Sequence, residues 1–331
     1  MRIESPLKIF LITCICGMTS AAIAQLDNGS SRSTAGNLAD AFTGGRVKAL
    51  FRYSGQYRDS NLHLLQDSSE PEVADEEVQQ YSAVGGFIGF ETAPLFNTTV
   101  GATLYGAAPF GPNPDDRRGL GGLYEEDGGQ DAYAVLGEFY IKYQNNGHLL
   151  KAGRQEMPDY RMVSLSNIRF SPITHSGAVY ENSVVQGLGI KVGYIMTMKE
   201  RNATEFIDMA RGARLAALSK GKQLIRGEFN PADYDASGYI GDEKEMTMLG
   251  VTWQQDNFSL DAWNYYVNDF VNSLYLEGQY TFAPASRNFN FTLAAQYTDQ
   301  RDVGGHIAGD IDTWHYGLSL RAYNDGVSAV S

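Results

Sequence analysis

From residue 46 onward, apolar residues recur at every second position in one short segment after another, and the links between segments are alternately brief and long. A period of two belongs to the β-strand, whose successive side chains point to opposite faces. Residues 46–58, 81–92, 98–106, 132–143, 148–154, 178–185, 188–199, 246–254, 258–267, 271–282, 288–298 and 312–323 carry the pattern. These make about twelve strands, most of roughly 9–12 residues, the length a tilted strand needs to cross a bilayer. Brief links (93–97, 145–147, 186–187, 256–257, 284–287) fall on one side of the strand order. Nearly all the long ones (59–80, 107–131, 155–177, 200–244, 299–311) fall on the other. A soluble sandwich has no reason for that asymmetry, whereas a membrane barrel has short turns at one rim and long loops at the other.

Composition agrees. The chain has 20 Tyr, 16 Phe and 36 Gly against 10 Pro, which suits strands, turns and bulges. Residues 1–24 read as a cleavable export leader. Arg2 and Lys8 flank a short apolar run, and Ala22-Ile23-Ala24 supplies the small-x-small pattern for cleavage before Gln25. The run is far shorter than the ~20 apolar residues of a membrane helix. Both cysteines, Cys14 and Cys16, lie inside the leader, so the exported part has no thiol chemistry. The net charge is −13, one unit more negative once Arg2, Glu4 and Lys8 depart with the leader, which argues against a nucleic-acid partner. Polar residues 25–44 read as a periplasmic lead-in, and residues 45–331 as a partial barrel.

The strand faces divide as a wall between lipid and water would require. In the fourth strand Tyr133, Val135, Phe139, Ile141 and Tyr143 share one face, and Glu138, Tyr140 and Lys142 the other. The eleventh sets Phe291, Leu293, Ala295 and Tyr297 against Asn290, Thr292 and Gln296. The twelfth sets Trp314, Tyr316, Leu318 and Leu320 against His315, Ser319 and Arg321. An exported, soluble β-sheet protein that binds or cleaves carbohydrate on its Tyr and Trp surfaces is the alternative reading. Asn324-Asp325-Gly326 reads as another turn and residues 327–331 as the start of a thirteenth strand, so the sequence is expected to be a C-terminally shortened piece of a larger barrel. Unpaired strand edges facing lipid would otherwise cost several kcal/mol for each open polar group.

Residues 148–177 interrupt the meander. A short strand leaves into a polar, proline-punctuated loop carrying Arg154, Arg161, Arg169 and His175, placed where the third outer loop should be. Folded inward, this loop would narrow the pore, with these four residues at the constriction. Lys48, Arg52, Lys142, Lys151, Lys191 and Arg321 fall on inward faces and form a candidate lumenal basic ladder; fixed charge in a narrow pore selects solutes by sign. Glu91, Glu138, Asp261 and Glu277 point inward in the same register and are expected to pair with some of these cations. Residues 233–244 resemble a calcium loop, but Lys244 stands where the last carboxylate ligand belongs, so a solvated acidic loop is the reading taken. The five histidines are scattered without metal-ligand spacing, and no nucleophile-His-acid set or phosphate-binding glycine motif occurs. Neither an enzyme nor a cofactor-binding protein is expected.

The segments Leu150-Lys151-Ala152-Gly153-Arg154-Gln155 and Asn167-Ile168-Arg169-Phe170-Ser171-Pro172-Ile173-Thr174-His175-Ser176-Gly177 resemble the strand and third loop of the OprD family of bacterial outer-membrane porins, including its Arg, two residues, Pro, four residues, Gly signature. Asn264-Tyr265-Tyr266-Val267-Asn268-Asp269-Phe270 and Tyr275-Leu276-Glu277-Gly278-Gln279-Tyr280 resemble that family's strand pair around a short outer loop. Phe170-Ser171 departs from the family pattern, which usually has two apolar residues there. The resemblance implies an all-β, transmembrane antiparallel up-and-down barrel of about eighteen strands, of which about twelve are present, with an inward-folded third loop. It further implies a passive outer-membrane channel for small solutes such as carboxylates or amino acids, surrounded by outer-membrane lipid and working as a monomer or homotrimer.

Overall fold

The computed structural model describes residues 24–27, 34–62, 75–111, 113, 132–163, 169–212, 244–282, 290–305, 310–324 and 327–330. Its strands are β1 (Ala24–Asp27), β2 (Arg46–Leu62), β3 (Asp75–Glu91), β4 (Thr98–Pro109), β5 (Tyr133–Asn145), β6 (His148–Gln155), β7 (Thr174–Asn182), β8 (Leu188–Lys199), β9 (Ile207–Asp208), β10 (Met246–Gln255), β11 (Phe258–Val267), β12 (Val271–Phe282), β13 (Asn290–Asp302), β14 (Asp312–Asn324) and β15 (Val327–Val330). They form one antiparallel sheet in which each strand pairs with the next in sequence, β8 running directly to β10 and β9 pairing β8 to one side. This is the up-and-down order read from the sequence. A meander lets each strand satisfy its backbone groups on its sequence neighbours through short turns.

Asn146 and Gly147 both take positive φ, 48° and 81°, between β5 and β6, as the type I′ turn of an Asn-Gly hairpin requires. The helix α1 (Leu38–Thr43) lies in the lead-in, where no element was expected, capped by Asn37 Oδ1 accepting from the Asp40 amide at 2.9 Å. The Ala41 carbonyl accepts from the Ala93 amide at 2.8 Å, which docks the helix on the β3–β4 turn. β2 and β3 run 17 residues each, well into the acidic stretch read as a loop, because their backbone pairing continues to Leu62 opposite Asp75. β7 begins at Thr174, four residues before the expected strand, so His175 is a strand residue paired with Gln155 and Met198. Of the short helix expected at 204–218, residues 209–212 are helical, and residues 213–218 lie outside the described residues, as do 233–243 of the calcium-like loop.

The two faces separate as expected on most strands. Phe51, Ile88, Leu104, Leu136, Ile141, Leu249, Leu293 and Leu318 are exposed on the outer face. A solvated β-sheet protein would not present such a continuous apolar row, whereas a lipid-facing wall requires one. On the inner face the register runs Thr252, Asp261, Glu277, Gln296 and Gly317 side by side across β10 to β14.

β5 departs from the sequence reading. Its register with β4 shifts between Thr103 and Leu104, leaving Gly137 as an extra residue between Leu136, opposite Leu104, and Glu138, opposite Thr103. One inserted residue reverses the phase of a strand. Tyr133 and Val135 therefore leave the lipid face assigned to them and are buried inside with Tyr105, Ala107 and Phe170. Gly137 itself has no room for a side chain, since a Cβ there would lie 2.7 Å from the Tyr105 ring.

Gly153 sets the exit from β6. Its φ is +120°, and a Cβ would stand 2.2 Å from the Phe139 carbonyl oxygen. Gly153→Ala is expected to destabilise the folded protein by about 2–3 kcal/mol, measured as a lower midpoint temperature for the folded-to-unfolded gel-mobility shift in detergent.

Candidate functional site

The segment between β6 and β7 lies against the inner face of the sheet in its described parts, residues 156–163 and 169–173. Near its start, Tyr160 donates to Glu181 Oε1 at 2.7 Å and packs edge-on against Trp263, with ring centroids 5.9 Å apart. Lys191 holds the adjacent backbone, donating to the Asp159 carbonyl at 3.0 Å, and pairs with Glu181 at 3.6 Å. Arg161 reaches β12, donating to the Tyr275 hydroxyl at 2.6 Å and to Glu277, with Asp261 at 4.0 Å. The Tyr275 hydroxyl holds the Arg161 guanidinium in its charged form, raising its pKa. Met157, Tyr160 and Ile173 share one apolar cluster with Trp263, Tyr265 and Phe270.

The other end of the segment lies against β2 to β5. Arg52 donates through Nη1 to the Arg169 carbonyl at 3.1 Å. The Phe170 ring sits on Gly85, where a Cβ would approach it to 2.7 Å. One stretch of chain thus touches β2 and β3 at one end and β11 and β12 at the other, which is the inward-folded position expected of the third loop.

Its return leg is fastened by residues that carried no sequence signal. Lys199, fully buried, donates to Ser171 Oγ at 2.7 Å, the Pro172 carbonyl at 2.8 Å and the Glu200 carbonyl at 2.8 Å. Asn202 Oδ1 accepts from the Tyr133 hydroxyl at 3.0 Å and the Ser171 amide at 3.4 Å. An ammonium taken out of water is tolerable only with its protons so occupied. Ser171 and Pro172 lie 28 and 27 residues from Lys199 in the chain, so no local pattern could mark the contact.

The candidate basic ladder resolves into mixed-sign groups. Lys48 pairs with Glu138 at 2.9 Å, and Lys142 with Glu91 at 3.3 Å, while the Lys151 ammonium sits 3.9 Å from the Tyr140 ring centre. Lys142 and Lys151 are direct cross-strand neighbours. Thr103 adds a 2.6 Å bond to Glu138, and Tyr140 donates to Glu91. Arg321 stands apart, lining a cleft of about 170 Å³ with Glu277, Gln279, Thr292, Gln296 and Ser319.

Two expected constriction residues stand elsewhere. Arg154 is paired with Phe139, which is exposed on the outer face, so it too belongs to the outward side. Its guanidinium lies over the Phe206 ring at 4.2 Å and donates to the Leu136 carbonyl at 3.2 Å. His175 is buried, 3% exposed, and stands within β7 opposite Gln155 rather than on the crossing segment. Arg161 and Arg169 are the two of the four that lie on the segment crossing the interior.

Lys199→Met removes both bonds to the return leg together with the one to Glu200 and is expected to cost about 3 kcal/mol, read as a lower midpoint of the same gel-mobility shift. Arg161→Ala is expected to quicken protease cleavage within residues 156–173 of the folded protein, since the loop loses its hold on β12.

The sheet order and the crossing segment can now be set beside known proteins. A family model described as "outer membrane porin, OprD family" matches residues 113–330. Among solved structures, Acinetobacter baumannii OccAB2 is similar with a TM-score of 0.61 at 16% identity, over 86% of this chain and 64% of that one. Pseudomonas aeruginosa OccK9 (OpdG) gives 0.58 at 18% identity, over 86% and 64%. Pseudomonas aeruginosa OpdK, crystallised with vanillate, gives 0.59 at 16% identity, over 85% and 63%. The chain therefore spans about 64% of the length of such a relative. None of the curated proteins compared matches. With the family model matching well over half of the chain, on a wall apolar outside and polar inside, the protein belongs to the OprD family of outer membrane porins.

Proposed function

We propose that this protein builds a passive, partly selective outer-membrane channel for small polar solutes, with carboxylates and amino acids as the solute class. The observation that supports the reading is that residues 156–163 and 169–173 lie against the inner face and are tied to opposite parts of the wall by Arg52, Arg161 and Lys199. A loop held there narrows the water-filled space and places charge where a solute must pass. The association of OpdK with vanillate supports a carboxylate as solute. Arg161 and Arg169 supply positive charge on the loop, and Lys48, Lys142, Lys151 and Lys191 supply it on the wall; Arg161, Lys48, Lys142 and Lys191 are balanced in part by Glu277, Glu138, Glu91 and Glu181. This alternation suits a solute carrying both signs, or a carboxylate with polar substituents, better than a simple inorganic anion. Outer-membrane lipid covers the apolar face, and a homotrimer is the assembly we favour beside the monomer. Residues 1–24 are taken as the export leader and 25–44 as the periplasmic lead-in; no catalytic role is assigned.

Planar-bilayer recordings of the full-length protein test the channel. Discrete conductance steps are expected, and their absence would remove the reading. Arg169→Ala is expected to lower the anion-to-cation permeability ratio by about two- to threefold, the effect of one lost charge in a hydrated constriction.

A further inference from the structure

Where the crossing segment leaves β6, two carboxylates meet over one phenol. The Tyr105 hydroxyl is 2.9 Å from Glu156 Oε1 and 3.2 Å from Glu138 Oε2. Glu138 Oε2 also accepts from Lys48 Nζ at 2.9 Å and Thr103 Oγ1 at 2.6 Å, and Glu138 Oε1 lies 3.5 Å from the Glu156 amide. A phenol carries one proton. With both carboxylates ionised, one of its two contacts sets oxygen against oxygen with no hydrogen between them. A proton taken from lumenal water onto Glu156 completes the chain: Glu156 donates to Tyr105, Tyr105 to Glu138, and Glu138 stays ionised against Lys48.

We propose that Glu156 is a proton-switched selectivity residue at the root of the constriction loop, whose neutral form makes the passage more anion-selective and whose ionised form makes it less so. The proposal rests on the channel reading given above. Burial, and then the neighbouring Glu138 charge, push the Glu156 carboxyl above the ordinary carboxylate range, against the opposing pull of Tyr105, Lys48 and Lys151. The groups facing it are therefore Lys48 from β2, Tyr105 from β4, Glu138 from β5 and Lys151 from β6. The sign follows from the charge. As pH falls through the raised pKa, Glu156 changes from −1 to neutral, so the local field becomes more positive.

The test is the anion-to-cation permeability ratio of the full-length channel, taken from reversal potentials in a salt gradient between about pH 4 and about pH 8. Wild type is expected to show a step of about two- to threefold toward anions as pH falls, centred above the usual carboxylate range. Glu156→Gln should lack the step and hold the acid-side ratio throughout. Glu138→Gln removes the like charge and should move the step to lower pH. Infrared titration of the folded wild type in detergent should show a protonated-carboxyl band rising over the same interval, independent of conduction. A flat wild-type profile, a step that persists in Glu156→Gln, or no carboxyl band over that interval each overturns the proposal while leaving the channel reading intact. A carboxyl band without conductance at any pH overturns the channel reading and, with it, the selectivity role.

Discussion

Backbone N–H and C=O groups have no water to bond with in hydrocarbon, and this constraint orders everything else in the chain. It is met here by a single meander running from β1 to β15 in which strands pair with their sequence neighbours, except that β8 pairs directly with β10 while β9 pairs β8 alone. Once the wall is made this way, alternate residues must face lipid and water. The outward Leu, Phe and Ile row and the inward Thr, Glu, Lys and Gln rows are the two sides of one pleat.

The wall alone does not make a site. Residues 156–163 and 169–173 pack against the interior, with Met157, Tyr160 and Ile173 against β10–β12 and Phe170 against β3–β5. Small residues make this approach feasible, as at Gly85 beneath Phe170. Charge then fixes the loop in place: Arg161 at the far wall, Lys199 at the return leg and Glu156 at the root each bond to an element distant in sequence. In the channel we propose, the same contacts that position the loop would set the field in the passage.

Much of this was legible in residue order. The strands, the Asn146-Gly147 turn and the place of the third loop follow from period, turn chemistry and link length, all of which are local. The inward assignments of Lys48, Lys142, Lys151 and Glu138 follow from counting by twos along the unbroken parts of their strands. Counting failed where the backbone broke phase. The bulge at Gly137 turned Tyr133 and Val135 inward, and Arg154, reached by following the polar run into the loop, stands opposite Phe139 on the outer side. His175 was read as loop because its strand begins four residues earlier than its apolar pattern does.

By itself, then, the sequence determined an all-β membrane meander, two chemically distinct faces and one loop unlike the others, because these depend on spacing within a dozen residues. Only the tertiary structure decided what that loop touches. Lys199 reaching Ser171, Arg161 reaching Glu277 and Tyr105 bridging Glu138 to Glu156 join residues 28, 116 and 33 to 51 positions apart. Such contacts arise when a curved sheet brings distant strands to face one interior, and a single extra residue in one strand is enough to change which side chains arrive there.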